Sequence, residues 1–161
     1  MRPVAVVLAA LVLLSACASF NPPLEQRTSR GPSARQFWTM RMMMENNREP
    51  NLDERRHWQD DLEQRIGQYL RQHPEAANSL DVSAFRFDKQ VVTGMSKEQV
   101  LILLGAPAAV TVDQAEIEKL ARRYWKDIQG NVTEAWVYDL GWRLYFTGPR
   151  LFTITQYLER D

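Results

Sequence analysis

Residues 92–107 read VTGMSKEQVLILLGAP and contain a complete short helix with both of its end signals. Ser96 is a typical N-cap residue, and Gln99 stands at the third helical position, where its side chain can complete a capping box. Gly105 supplies a residue that tolerates the positive φ at which helices end. The sequence therefore predicts a helix over residues 97–104, and a helix this short and apolar is stable only when it packs on another element.

The C-terminal residues are typical of antiparallel strands. Apolar and polar side chains alternate over residues 142–147, Gly148 and Pro149 form a turn, and residues 151–158 can supply the last strand. We expect one face of this sheet to be buried and the other to be open. The side chains predicted to face the core are Trp142, Leu144, Phe146, Phe152, Ile154 and Leu158, and those predicted to face outward are Arg143, Tyr145, Thr147, Thr153, Thr155 and Tyr157.

Three further segments have helical signals. Asn51 and Glu54 can form a capping box ahead of an amphipathic helix that ends before Pro74. The methionine-rich residues 37–44 predict a short helix whose methionines fill gaps in the core, with a docking surface as the alternative. Asp113 can cap a third helix, whose apolar stripe consists of Ile117, Leu120, Ala121, Tyr124 and Trp125. Residues 80–90 fit either a strand or a short helix, and we favour the helix.

The region from Val92 to Leu158 resembles the SmpA/OmlA domain, the family that includes the BamE lipoprotein of the outer-membrane β-barrel assembly machine. The residues that carry the resemblance are Gly94, Met95, Ser96, Val100, Gly105, Pro107, Trp136 and Tyr138. The resemblance implies an α+β fold in which helices pack on one face of a small three-stranded antiparallel sheet. The helix that begins at Asp113 and the helical segment ahead of the signature depart from a minimal member of this family.

The N-terminus has the pattern of a bacterial lipoprotein signal. A cationic start precedes eleven apolar residues, Val4–Leu14, which are too few to span a membrane as a helix. The residues at the end of this run and after it, Leu14, Ser15, Ala16 and Cys17, resemble a lipobox. In a lipobox the cysteine is acylated and, after the signal is cleaved, becomes the first residue of the mature protein. By the sorting rule of enterobacterial lipoproteins, Ala18 implies the outer membrane, with the protein on its periplasmic face.

The predicted organisation has four parts. Residues 1–16 are the lipoprotein signal peptide, and residues 17–34, which are rich in proline and serine, are the lipidated N-terminus and a flexible tether. Residues 35–90 form an N-terminal helical extension. Residues 91–161 form the SmpA/OmlA-like α+β domain.

The composition argues against several functions. The 161 residues carry 20 basic and 20 acidic side chains, so no excess charge favours nucleic acid. The single cysteine precludes an intrachain disulfide. His57 and His73 lie about 160° apart around their helix and cannot share a metal ion. We find no catalytic motif and expect no enzyme activity, cofactor or metal.

The sequence thus predicts a lipid-anchored periplasmic interaction module that contributes to outer-membrane protein assembly or to cell-envelope integrity. Its expected partners are the membrane, through acyl chains on Cys17, and an envelope protein, with the outer-membrane assembly machinery as the candidate. The candidate partner-binding residues are Tyr138, Tyr145 and Tyr157. The alternatives are a periplasmic inhibitor or ligand-binding lipoprotein that uses the open sheet face, and an envelope hydrolase.

Overall fold

The structure is a computed structural model that describes residues 25–158. Its helices are α1 (Ala34–Asn46), α2 (Leu52–Gln72), α3 (Lys97–Leu104), α4 (Gln114–Ala121) and α5 (Trp125–Ile128). Its strands are β1 (Glu25–Thr28), β2 (Arg30–Ser33), β3 (Gln90–Val92), β4 (Ala109–Thr111), β5 (Glu134–Val137), β6 (Trp142–Thr147) and β7 (Arg150–Tyr157). Single 3-10 turns occupy Pro74–Asn78 and Arg122–Tyr124, and a π-helical turn occupies Ala84–Asp88.

The main sheet has five antiparallel strands in the order β1-β7-β6-β5-β4, and β2 pairs with β3 in a separate two-stranded sheet. The prediction of a three-stranded sheet is therefore wrong, although the α+β class stands. The predicted strands form the centre, while β1 and β4 extend the two edges. The sequence pattern missed these edge strands because each is only three or four residues long and shows no alternation of buried apolar residues.

Helices cover both faces of the main sheet, which corrects the prediction that they cover one. Leu144 and Phe146 of β6 pack in a large core with α2 and α3, whereas the intervening Tyr145 packs in a smaller core. The smaller core includes Ile117 of α4 and Ile128, which ends α5. Because successive side chains of a strand point to opposite faces, α4 and α5 must lie on the face opposite α2 and α3. The fold has three layers: helices, sheet and helices.

The local signals at the helix ends are confirmed. The side chains of Asn51 and Ser96 each accept a hydrogen bond from the residue three positions on, and both capping boxes are closed. Helix α3 has the predicted bounds and ends at Gly105, whose φ is +77°. Asp113 caps α4 by accepting from the amide of Glu116. The favoured helix within residues 80–90 is present as the π-helical turn.

The segment predicted as a tether does not extend to residue 34. Residues 25–33 form β1 and β2, whose backbones pair with β7 and β3. Residues 1–24 lie outside the described part, which places the predicted signal peptide and Cys17 there. Residues of the predicted extension, such as Leu62 and Ile66, share one core with Val100 and Leu144 of the C-terminal part. Within residues 25–158, no helix has the length and apolar character needed to cross a membrane.

Candidate functional site

The family-signature residues lie mainly in the core and at its turns. Met95 and Val100 are fully buried, and Trp136 and Tyr138 are nearly so. The Tyr138 hydroxyl donates to the carbonyl of Gly105 at 2.9 Å, which ties the end of α3 to the residue after β5. The other signature positions are Gly94, whose amide donates to the Leu151 carbonyl at 2.7 Å, Ser96, the α3 N-cap, and Pro107, which is half-buried ahead of β4. In this structure these residues build the fold.

Two of the three tyrosines predicted to bind a partner are buried. Tyr145 has no exposed surface, and its hydroxyl lies 3.3 Å from the Thr155 hydroxyl. Burial raises the pKa of Tyr145 to about 12 and also raises that of Tyr138. The prediction that Tyr145 faces outward is wrong because α4 and α5 cover its face of the sheet. Tyr157 is half-buried beneath Arg122, whose guanidinium carbon lies 3.8 Å from the ring centroid.

The last strand, β7, also departs from the predicted alternation, because helices cover the face of the sheet that we expected to be open. Thr153 and Thr155 are buried although we expected them to face solvent. Phe152 and Leu158, expected in the core, are 37% and 50% exposed. Ile154 is buried as predicted. A strand covered on both faces has no polar side, so its sequence does not show which residues are buried.

An open groove lies between α1, α2 and the end of α3. Its volume is about 320 Å³, and it is lined by Phe37, Trp38, Arg41, Met42, Glu45, Trp58, Arg65, Ile102, Leu103, Leu104 and Gly105. Trp38 and Trp58 stack with their ring centroids 4.8 Å apart and 14° between the ring planes. The Arg65 guanidinium donates to the Ile102 carbonyl at 3.1 Å, which fixes α3 against α2 beside the groove.

The helix that borders this groove exposes methionines. Met40, Met43 and Met44 are 41%, 38% and 61% exposed, while α1 buries only Ala34 and Phe37. The prediction that these methionines fill the core is wrong, because only the first half of α1 packs against the body. Met42 lines the groove, and the three exposed methionines lie further around the same helix. We call this combined surface the α1 surface.

Sequence reasoning did not find the groove. Trp38 and Trp58 lie on two separate helices, and no periodic pattern relates positions twenty residues apart. The only signal available was the density of methionine and aromatic residues in α1. Such residues occur both in cores and at protein interfaces, so the sequence could not separate the two.

Glu134 is a partly buried carboxylate outside the groove, and the side chains of Lys97 and Trp136 donate hydrogen bonds to it. Burial of its carboxylate raises the pKa, but hydrogen bonds from Lys97 and Trp136 outweigh that effect and lower it overall. Glu134 is therefore an ionised link between β5 and the first turn of α3. No group of three or more histidine, cysteine, aspartate or glutamate side chains within residues 25–158 could hold a metal ion.

Comparison of the chain with protein-family models, with curated proteins and with solved structures finds no match. The resemblance to the SmpA/OmlA domain therefore rests on the sequence motif alone and remains a prediction.

Proposed function

We propose that this protein is a lipid-anchored interaction module of the bacterial envelope. In this proposal acyl chains on Cys17 hold it at the periplasmic face of the outer membrane, where it contributes to outer-membrane protein assembly or envelope integrity. The observation that carries the proposal is the order of Leu14, Ser15, Ala16 and Cys17 directly after an apolar run of export-signal length. Several acyl chains on one cysteine give lasting membrane attachment, whereas a single chain binds reversibly.

The α1 surface supports a binding role. Exposed methionines and a stacked tryptophan pair are residue types enriched in protein interfaces. Methionine side chains are flexible and can adapt to different apolar partners. The partner expected here is an envelope protein, and the outer-membrane assembly machinery is the candidate implied by the family resemblance.

The proposed membrane anchor would favour binding at the α1 surface by raising the effective concentration of membrane-bound partners. A protein confined to the membrane plane meets other membrane-bound proteins at a raised effective concentration, so even a modest interface can be occupied. The alternative is an inhibitor or ligand-binding protein that uses a face of the sheet, and the helices that cover the centre of both faces favour the α1 surface over it.

Mass spectrometry of the exported protein tests the anchor. We expect residues 1–16 to be absent and Cys17 to carry acyl chains, and a Cys17→Ser variant to leave the membrane fraction. A free thiol on Cys17, or an uncleaved leader, would overturn the proposal.

Site-specific photocrosslinking in intact cells tests the α1 surface. A photoreactive residue at Met43 should capture an envelope protein, and the same residue at Asp60, which is exposed on α2 and does not line the groove, should not. Capture should weaken in the Cys17→Ser background, since the partner would no longer be held nearby. Equal capture from both positions would contradict a specific interface at α1.

A further inference from the structure

The first described strand, β1, lies at an edge of the main sheet, and side chains of the segment after α4 cover this edge. The carbonyl of Glu25 accepts hydrogen bonds from the Arg123 guanidinium and, at 3.3 Å, from the Tyr124 hydroxyl. The backbone amide of Arg27 donates to the same hydroxyl at 3.1 Å. These contacts fix the segment after α4 against β1, so that the first described residues and residues 122–126 form one region.

This region is basic at its surface. Arg27, Arg122, Arg123 and Lys126 are exposed, and we call these four residues the basic edge. Among residues 25–158, the acids paired with this edge are Asp127, whose carboxylate lies 3.7 Å from Arg27, and Glu25, whose carboxylate lies 3.8 Å from Arg123.

Burial limits the opposing charge of Glu25. Its side chain is only 8% exposed, and burial raises the pKa of its carboxyl despite the neighbouring Arg122, Arg123 and Arg143. Because its side chain is nearly buried, the Glu25 carboxylate exposes little of its surface to solvent, and it lies 3.8 Å from Arg123.

The length of chain ahead of Glu25 sets how far this region can lie from an anchor on Cys17. Glu25 follows Cys17 by eight positions. Eight residues span about 28 Å when fully extended and about 16 Å as a coil. A folded body of this size is about 36 Å across. An anchor on Cys17 therefore holds Glu25 within about 28 Å of the membrane, which is less than the width of the body, so the body cannot turn its Glu25 side fully away from that surface.

We propose that the basic edge docks on the anionic phosphate groups of the membrane surface and sets the orientation of the anchored protein. This inference rests on the proposed acylation of Cys17. The occupant is a lipid headgroup layer because the eight positions from Cys17 to Glu25 bring these side chains within reach of that surface and because their charge is complementary to it. Screening confines such attraction to within about 10 Å, a distance that the short link to Cys17 makes accessible.

Vesicle co-sedimentation tests the docking without the acyl chains. The probe is the chain of residues 17–161 with Cys17→Ser, which keeps every described residue and cannot be acylated. We expect it to bind phosphatidylcholine vesicles that contain about 30% phosphatidylglycerol more tightly than pure phosphatidylcholine vesicles, with binding that weakens as salt is raised to about 0.5 M.

Charge-removing variants locate the surface. Lys126→Gln and Arg122→Gln should each lower the affinity for anionic vesicles about fivefold, as expected for the loss of one basic group near an anionic surface. Arg56→Gln makes the same charge change at an exposed position on α2, in the opposite helical layer, and should leave the affinity unchanged. Circular dichroism of each variant checks that the fold is retained, and Lys126, which is exposed, is the substitution with the least effect on packing.

The outcomes separate this inference from the proposed function. Equal binding to both kinds of vesicle, no binding, or equal loss in Arg56→Gln would overturn docking by the basic edge. The state of Cys17 is measured independently by mass spectrometry of the exported protein. A free thiol there would refute the anchor, while the vesicle results would still report on the basic edge itself.

Discussion

The Gln99→Leu substitution removes two hydrogen bonds from the buried first turn of α3. The Gln99 side-chain oxygen accepts from the Ser96 amide at 2.7 Å, and its nitrogen donates to the Asp81 carboxylate at 2.7 Å. Gln99 is 1% exposed and Asp81 is 8% exposed, so water cannot readily replace either bond. The substitution therefore leaves a nearly buried carboxylate without its donor.

The magnitude follows from the nature of the two bonds. The neutral bond to Ser96 contributes about 1 kcal/mol and the bond to the Asp81 carboxylate about 2 kcal/mol. The added apolar burial of leucine offsets about 1 kcal/mol. We expect the free energy of unfolding to fall by about 2 kcal/mol, measured by urea unfolding followed by circular dichroism.

Two comparisons isolate the bond to Asp81. Gln64→Leu makes the same chemical change at an exposed position of α2 and should alter the free energy of unfolding by less than about 0.5 kcal/mol. In an Asp81→Ala background, Gln99→Leu should cost about 2 kcal/mol less than in the wild-type background, because the bond to Asp81 is already absent. The reasoning is refuted if Gln99→Leu is no more destabilising than Gln64→Leu, or if its effect is the same with and without Asp81.

Burial raises the pKa of Tyr145 to about 12, above the value of about 10 for an exposed tyrosine, so the neutral hydroxyl stabilises the fold. This contribution is fully present below about pH 10, and the free energy of unfolding falls by about 3 kcal/mol as the pH rises through 12. Tyr145→Phe should reduce this alkaline loss in urea unfolding, and an unchanged loss would contradict the burial. Gly141→Ala would place a Cβ 1.6 Å from the Tyr157 carbonyl oxygen at a φ of +73°, and should cost about 3 kcal/mol or more in thermal unfolding. Gly130→Ala, at a φ of +80° with no atom within 4 Å, should cost clearly less. Ile117→Ala should lower the free energy of unfolding by about 2–5 kcal/mol if α4 covers the sheet, whereas a helix standing apart would lose under about 1 kcal/mol.

The elements that the sequence predicted well depend on near neighbours. The N-caps of α2, α3 and α4 and the end of α3 at Gly105 were recognisable because each capping interaction joins residues three or four positions apart. The central strands β6 and β7 were also recognisable from their apolar residues and from the turn at Gly148 and Pro149.

The candidate site was predicted poorly because it depends on how elements meet. Tyr145 alternates with Leu144 and Phe146 in the way that an outward residue would, and only the position of α4 makes it buried. Met43 and Met44 have the composition of core residues, and only the direction in which α1 leaves the body exposes them. Neither outcome is encoded in a local pattern.

The sequence alone thus determined the starts of α2, α3 and α4, the end of α3, the α+β class and the lipoprotein pattern ahead of Glu25, because these depend on residue type and short spacing. Only the tertiary structure decided the strand number, the coverage of both sheet faces and the place of the basic edge beside the chain entry. Backbone pairing of β1 with β7 joins residues more than 120 positions apart. Contacts over such separations are selected by the packing of the whole chain, which no single stretch of sequence records.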